Sequence, residues 1–86
     1  METAKPTHRD KWTAQMKART AFLTSLCGEA DRLTGLAYQT YDRQDLGNAA
    51  KACLAASLQA NRDGLDIIAD EYGRKHAELN KKACGG

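Results

Sequence analysis

Apolar and small side chains recur every three or four positions through most of this 86-residue chain. In the first half the steps run mostly four, three, four, three, which keeps side chains on one face of an α-helix. This first stripe comprises Trp12, Met16, Leu23, Leu26, Ala30, Leu33, Ala37 and Tyr41. The pattern predicts a long helical segment that begins near Thr7 or Asp10, because either residue can cap a helix N-terminus.

The stripe lapses in the stretch "YDRQDLGN", where aspartate, glycine and asparagine are typical of turns and helix caps. We therefore predict a chain reversal near residues 43–48. Beyond it, the chain carries two stripes, which is typical of a helix that contacts two neighbours. The small stripe is Ala49, Cys53, Ala56 and Ala60, and the large one is Leu54, Leu58, Leu65, Ile68, Tyr72 and Leu79.

Composition assigns these segments to the all-α class. The chain has no valine, its only proline is Pro6, and alanine and leucine dominate its apolar residues, which favours helix. Two glycines, Gly28 and Gly64, are candidate helix breaks. We expect a disordered N-terminal arm at residues 1–6, a helical domain at 7–82, and a flexible tail at 83–86.

Two architectures fit these elements. One is an antiparallel helical hairpin of two long helices. The other is a small helical bundle of three or four helices, with further breaks at Gly28 and Gly64. A lone hairpin would leave its outer stripe in water, so we expect it to form a four-helix bundle by dimerisation, as a homodimer.

The stretch "QDLGNAAKACLAAS" resembles the second half of a tetratricopeptide repeat. Asp45 and Leu46 stand where that family opens its second helix, Ala49 and Ala56 occupy its small positions, and Cys53 replaces the usual aromatic residue. The resemblance implies a tightly packed helix pair with a groove for a partner. Such repeats bury a core only when three or more stack, and no second copy follows here. The favoured interpretation is therefore a helical hairpin turn.

Charge is unevenly distributed although the net charge is only +2. Residues 1–26 sum to +3, residues 27–72 to −4, and residues 73–86 to +3. In an antiparallel hairpin the two chain ends would meet and form one basic end. The alternative function that this predicts is nucleic-acid binding. Its residues would be Arg9, Lys11, Lys17, Arg19, Arg74 and Lys75.

The favoured prediction is a non-enzymatic protein that binds a protein partner as an adaptor, regulator or inhibitor. Tyrosine is enriched at the energetic centres of interfaces, and the turn region combines two tyrosines with mixed charges. The predicted contacts are Tyr38, Tyr41, Asp42, Arg43 and Asp45. In size and acidic helical surface the chain is similar in kind to small phage-encoded inhibitors such as anti-CRISPR proteins, although no residues can be matched.

Motifs for chemistry are missing from the sequence. No closely spaced cysteine or histidine pairs predict a metal site, no glycine-rich phosphate loop occurs, and neither Ser25 nor Ser57 lies in a nucleophile motif. We expect no catalytic residue, no metal and no cofactor. Three cysteines without a secretory signal or a membrane-spanning run lead us to expect reduced thiols, no membrane partner and a cytoplasmic location.

Overall fold

The computed structural model describes residues 7–85 and folds them into four α-helices. Their bounds are α1 His8–Ala18, α2 Ala21–Thr40, α3 Arg43–Arg62 and α4 Asp66–Ala83. The all-α prediction is confirmed, with the small bundle in place of the two-helix hairpin. The predicted N-terminal arm, residues 1–6, lies outside the described residues. At the other end, α4 extends to Ala83, one residue into the segment expected to be a flexible tail.

Threonine side chains start the first two helices. Thr7 accepts a hydrogen bond from the Asp10 backbone N–H, and the Asp10 carboxylate accepts one in return, which completes a capping box. Thr20 accepts from the Leu23 N–H in the same way. Arg19 has an extended backbone conformation and separates α1 from α2. The single long first helix that the stripe predicted is therefore interrupted at residues 19–20.

The structure shifts the predicted chain reversal and distinguishes the two candidate breaks. The chain reversal lies at residues 41–42, and residues 43–48 already belong to α3. Gly28 does not break α2, because one glycine costs a helix only about 1 kcal/mol and the buried face of α2 outweighs that. Gly64 does interrupt the helical run between α3 and α4. It adopts φ 76°, a left-handed conformation that glycine reaches without a steric penalty.

Helix α3 is the centre of the bundle and packs against both α2 and α4. Its small side chains allow these close approaches, because short side chains let helix axes come near one another. Ala49, Cys53, Ala56 and Ala60 are fully buried, which confirms the small stripe as core. The large stripe divides: Ile68, Tyr72 and Leu79 on α4 are buried, whereas Leu54 and Leu58 on α3 are exposed.

Long polar side chains join α2 to α4. The Tyr72 hydroxyl donates a 2.9 Å hydrogen bond to Asp31, and the Lys75 ammonium lies 3.6 Å from the same carboxylate. Burial, followed by this hydrogen bond, raises the pKa of Tyr72. Helix α1 packs on α4 and completes the four-helix bundle. The bundle measures 53 × 24 × 19 Å along its principal axes.

Candidate functional site

The reversal between α2 and α3 has a constrained backbone. Tyr41 ends α2 in the left-handed conformation, with φ 53° and ψ 25°, and its N–H donates a 2.7 Å hydrogen bond to the Ala37 carbonyl. Thr40 then bridges the turn, since its hydroxyl donates to Asp45 at 2.7 Å and accepts from the Asp42 N–H at 3.3 Å. These bonds fix the direction in which α3 begins.

The end of α4 lies against this reversal. The Tyr38 hydroxyl donates a 3.1 Å hydrogen bond to Glu78, and the Lys82 ammonium lies 6.0 Å from the centre of the Tyr41 ring. Gly85 lies beside the Arg43 guanidinium. We call this cluster the turn-end surface. It comprises Tyr38, Tyr41, Asp42, Arg43, Asp45, Glu78 and Lys82.

The turn-end surface therefore brings together all five residues that the sequence predicted as partner contacts. Tyr38 is 44% exposed and Tyr41 is 57% exposed. Tyr41 is also the last residue of the first apolar stripe. It is not buried in the core, because α2 ends here and the chain reverses into α3. Two members of the surface, Glu78 and Lys82, were missed. Only the reversal at Gly64 sends α4 back to this end.

Hydrogen bonds set the electrostatics of the surface. Partial desolvation, followed by the bond to Glu78, raises the pKa of Tyr38. The neighbouring Tyr41 side chain raises the pKa of Lys82, so the positive charge of Lys82 is retained further into the alkaline range. The result is an exposed aromatic pair inside a border of both charge signs, which suits contact with a mixed polar and apolar surface.

The six residues of the nucleic-acid alternative lie on α1, at the junction of α1 with α2, and on α4. Arg9, Lys11 and Lys17 are exposed on α1, whereas Arg19 is half-buried with its guanidinium 3.3 Å from the Met16 sulfur. The other two lie in the middle of α4. Arg74 pairs with Asp70 at 2.7 Å, and Lys75 lies between Asp31 and the Tyr72 ring.

The C-terminal lysines also lie away from α1, since Lys82 is at the turn end whereas α1 contacts the beginning of α4 through Gln15. The expectation of one basic end formed by the two termini stays a prediction. A two-helix hairpin would bring Lys82 close to α1, whereas the additional reversal at Gly64 places Lys82 beside Tyr41. Nucleic-acid binding stays a prediction that would rest mainly on α1.

Among residues 7–85, no three histidine, cysteine or acidic side chains form a group suited to holding a metal ion. The ring Nδ1 of His76 lies 2.8 Å from the Ala50 carbonyl, and as the N–H it donates a bond that links α4 to α3. Cys27 and Cys53 are buried, and burial raises the pKa of the Cys53 thiol. Cys84 is exposed. Packing explains the two buried thiols and this imidazole.

Two open grooves accompany α4. One, of about 500 Å³, lies against α3, and the other, of about 630 Å³, lies against α1. Between Thr7 and Gly85, none of the helices has the length and apolar character needed to cross a bilayer. Comparison of the chain with protein-family models, with curated proteins and with solved structures finds no match.

Proposed function

We propose that this chain is a non-enzymatic helical protein that binds a protein partner, as an adaptor, regulator or inhibitor, through its turn-end surface. The observation that carries the proposal is the conformation of Tyr41. This residue has a left-handed backbone at the end of α2, and more than half of its surface is in contact with water.

Tyrosine is a costly choice at such a position. Helix ends of this kind favour glycine, since a Cβ atom in the left-handed region costs about 1 kcal/mol or more. Burial does not offset that cost, because Tyr41 is 57% exposed. Backbone strain of this kind clusters at functional sites. An exposed, strained tyrosine is best explained by a contact that the isolated chain does not contain.

Pre-ordering of the aromatic pair supports the same proposal. Tyr38 and Tyr41 are three positions apart, and both face α4: the Tyr38 hydroxyl donates to Glu78, and the Lys82 ammonium lies 6.0 Å from the centre of the Tyr41 ring. Side chains that are already ordered lose less conformational entropy when a partner binds. Tyrosine and tryptophan supply much of the energy at protein interfaces. The mixed charges at the border favour a protein over the uniformly negative backbone of a nucleic acid.

The test is a pull-down from the source cells with tagged protein, half of it treated with nuclease. We expect a stoichiometric protein band that survives nuclease, and loss of that band with Tyr41→Gly and with Tyr38→Ala. Phe22→Ala is the matched control, because Phe22 is also an exposed aromatic residue, at 61% exposure, but lies at the start of α2.

Tyr41→Gly has a second expected effect that separates lost binding from lost folding. Relief of the left-handed strain should raise the free energy of unfolding by about 0.5–1 kcal/mol, measured by urea denaturation followed by circular dichroism. A more stable protein that no longer captures the partner would confirm the proposal. Retention of the band by both tyrosine variants would refute it. A band that vanishes with nuclease would favour the basic residues of α1 instead.

A further inference from the structure

One apolar strip remains open to water beside α4. Leu54, Leu58 and Asn61 follow one another at steps of four and three, so they share a face of α3. Leu54 is 38% exposed and Leu58 is 53% exposed. Asn61 lines the 500 Å³ groove together with Gly73 of α4. The two exposed leucines therefore continue along α3 the strip that borders this groove.

The matching strip on α4 has its charges sorted by sign. Asp66, Asp70, Arg74 and Lys81 are separated by four, four and seven positions, so they share one helix face. The half nearest the Gly64 turn is acidic, and the other half is basic. We call the combined surface the α3–α4 face. It comprises Leu54, Leu58, Asn61, Asp66, Asp70, Gly73, Arg74, Ala77 and Lys81.

The charge pattern of this α4 strip is complementary to that of a second copy that runs in the opposite direction. A purely basic partner helix would attract Asp66 and repel Lys81, and a purely acidic one would do the reverse. A second copy running in the opposite direction places acid against base at both ends. The surface is therefore better matched to its own copy than to a partner of a single charge sign.

The residue pairs on α3 and those on α4 place the two-fold symmetry axis at the same height. The midpoint between Asp66 and Lys81 falls next to Gly73, and the midpoint between Leu54 and Leu58 falls at Ala56, next to Ser57. A Cβ atom on Gly73 would lie 3.3 Å from the Ser57 hydroxyl oxygen, so these two midpoints stand at the same height in the bundle. One two-fold axis can relate the leucines and the charges at once.

We propose that a second copy of this chain covers the α3–α4 face, antiparallel to the first, about a two-fold axis at the level of Gly73. Leu54 of each copy packs against Leu58 of the other, and Asp66 of each copy faces Lys81 of the other. This interface is isologous, as in most dimers. The proposal goes beyond the proposed function, because it leaves both turn-end surfaces open, at opposite ends of the dimer.

Small side chains at the centre make the approach possible. Gly73 and Ala77 present little bulk on this face, so the two α4 helices can come close. The Arg74–Asp70 pair of each copy lies near the axis, where the two pairs can join in one network of alternating charge. Because these charges are exposed, added salt should weaken the dimer.

Sedimentation velocity over a range of concentrations tests the proposal. We expect wild-type protein to move from the mass of one chain to that of two as concentration rises. Two charge-reversal variants, Asp66→Lys with Asp70→Lys and Arg74→Glu with Lys81→Glu, should each stay monomeric. An equimolar mixture of the two should recover the dimer mass, because an all-basic strip then meets an all-acidic one. Misfolded chains could not show this recovery.

Two controls separate the interface from other effects of these changes. Gln15 donates a hydrogen bond to Asp66 and accepts two from the start of α4, so Gln15→Ala reports the loss of these α1 contacts and should leave the dimer intact. Leu58→Glu should abolish the dimer. Leu36→Glu should not, since Leu36 is exposed to a similar extent, 40%, but lies on α2.

Three outcomes would overturn the proposal. The first is a monomer at every concentration up to roughly 1 mM, where even a millimolar Kd would populate the dimer. The second is a dimer that both reversed variants still form, which would place the contact elsewhere. The third is a mixture of the two variants that stays monomeric, which would rule out the antiparallel register.

Discussion

Helices α1 and α3 show two ways of attaching a helix to the same bundle. Helix α3 contributes seven buried residues and packs on both of its neighbours. Helix α1 has no buried residue at all and is attached largely by polar side chains. The Gln15 amide donates to Asp66 at 2.7 Å and accepts from the backbone N–H groups of Ile67 and Ile68, and the Trp12 indole donates to Glu71 at 3.0 Å.

The contrast shows where the stability of the fold lies. Burial of apolar surface supplies most folding free energy, whereas a hydrogen bond exchanged with water contributes only about 0.5–1.5 kcal/mol. The attachment of α1 therefore depends on a few hydrogen bonds that water can replace. The attachment of α3 depends on the close packing of its buried side chains. Gln15 also substitutes for the missing side-chain cap of α4, whose preceding residue is Leu65. We expect α1 to separate while the other three helices remain folded.

The largest effect should come from overfilling α3. Ala56→Leu places three extra heavy atoms at a fully buried position, which we expect to lower the free energy of unfolding by about 1–3 kcal/mol. Urea denaturation measures this change. Ala55→Leu is the matched control, because its neighbour Ala55 is exposed and should change stability by less than about 0.5 kcal/mol. Equal effects at both positions would contradict the packing described for α3.

A second test concerns the crossing of α3 and α4. The Ser57 hydroxyl donates a 2.6 Å hydrogen bond to the Ala69 carbonyl and would lie 3.3 Å from a Cβ on Gly73. Ser57→Ala should cost about 1 kcal/mol. Gly73→Ala should stabilise α4 by about 0.8–1 kcal/mol, but only in the Ser57→Ala background, where the crowding oxygen is gone. A double-mutant cycle measures this coupling, and an additive result would refute it.

Release of α1 is a smaller effect on global stability. Gln15→Ala removes the bonds to Asp66 and to the start of α4, so we expect rapid hydrogen exchange confined to α1 and a red shift in Trp12 emission. Trp12 is the only tryptophan, so its fluorescence reports on this helix alone. Thr13→Ala is the control, since the Thr13 hydroxyl bonds only within α1. Faster exchange throughout α3 would show that α1 is not separable.

Acid should produce the smallest change. The hydrogen bond from Gln15 lowers the pKa of Asp66 below its ordinary value. A carboxyl group with a lowered pKa stabilises the folded form above its unfolded pKa, and that contribution is lost as pH falls through the folded pKa. Trp12 emission should therefore shift at acid pH in the wild type. In Gln15→Ala the emission should already be shifted at neutral pH, and a pH response equal to that of the wild type would exclude Asp66 as its origin.

The periodicity of the sequence identified four of the seven buried residues of α3. Alanine and cysteine at steps of three and four predicted its buried stripe, and the structure buries all four of them. Gly64 was one of two candidate helix breaks, and it interrupts the helical run because glycine enters the left-handed region freely. The five predicted contacts meet at the turn end because they are close in the chain. Such features are local, and local backbone preference and spacing are enough to specify them.

Tertiary structure alone decided what lies next to what. Spacing placed Leu54 and Leu58 on an apolar stripe. In the structure the small stripe of α3 packs against the neighbouring helices, and both leucines are exposed to water. Spacing predicted that α1 and α2 form one continuous helix, but Thr20 caps a new helix there. Gln15 also forms hydrogen bonds with residues some fifty positions away in the chain. A periodic pattern records only the face of a helix on which a residue lies. The neighbour that covers this face depends on where the chain reverses and on which surfaces pack most closely, and both are properties of the whole fold.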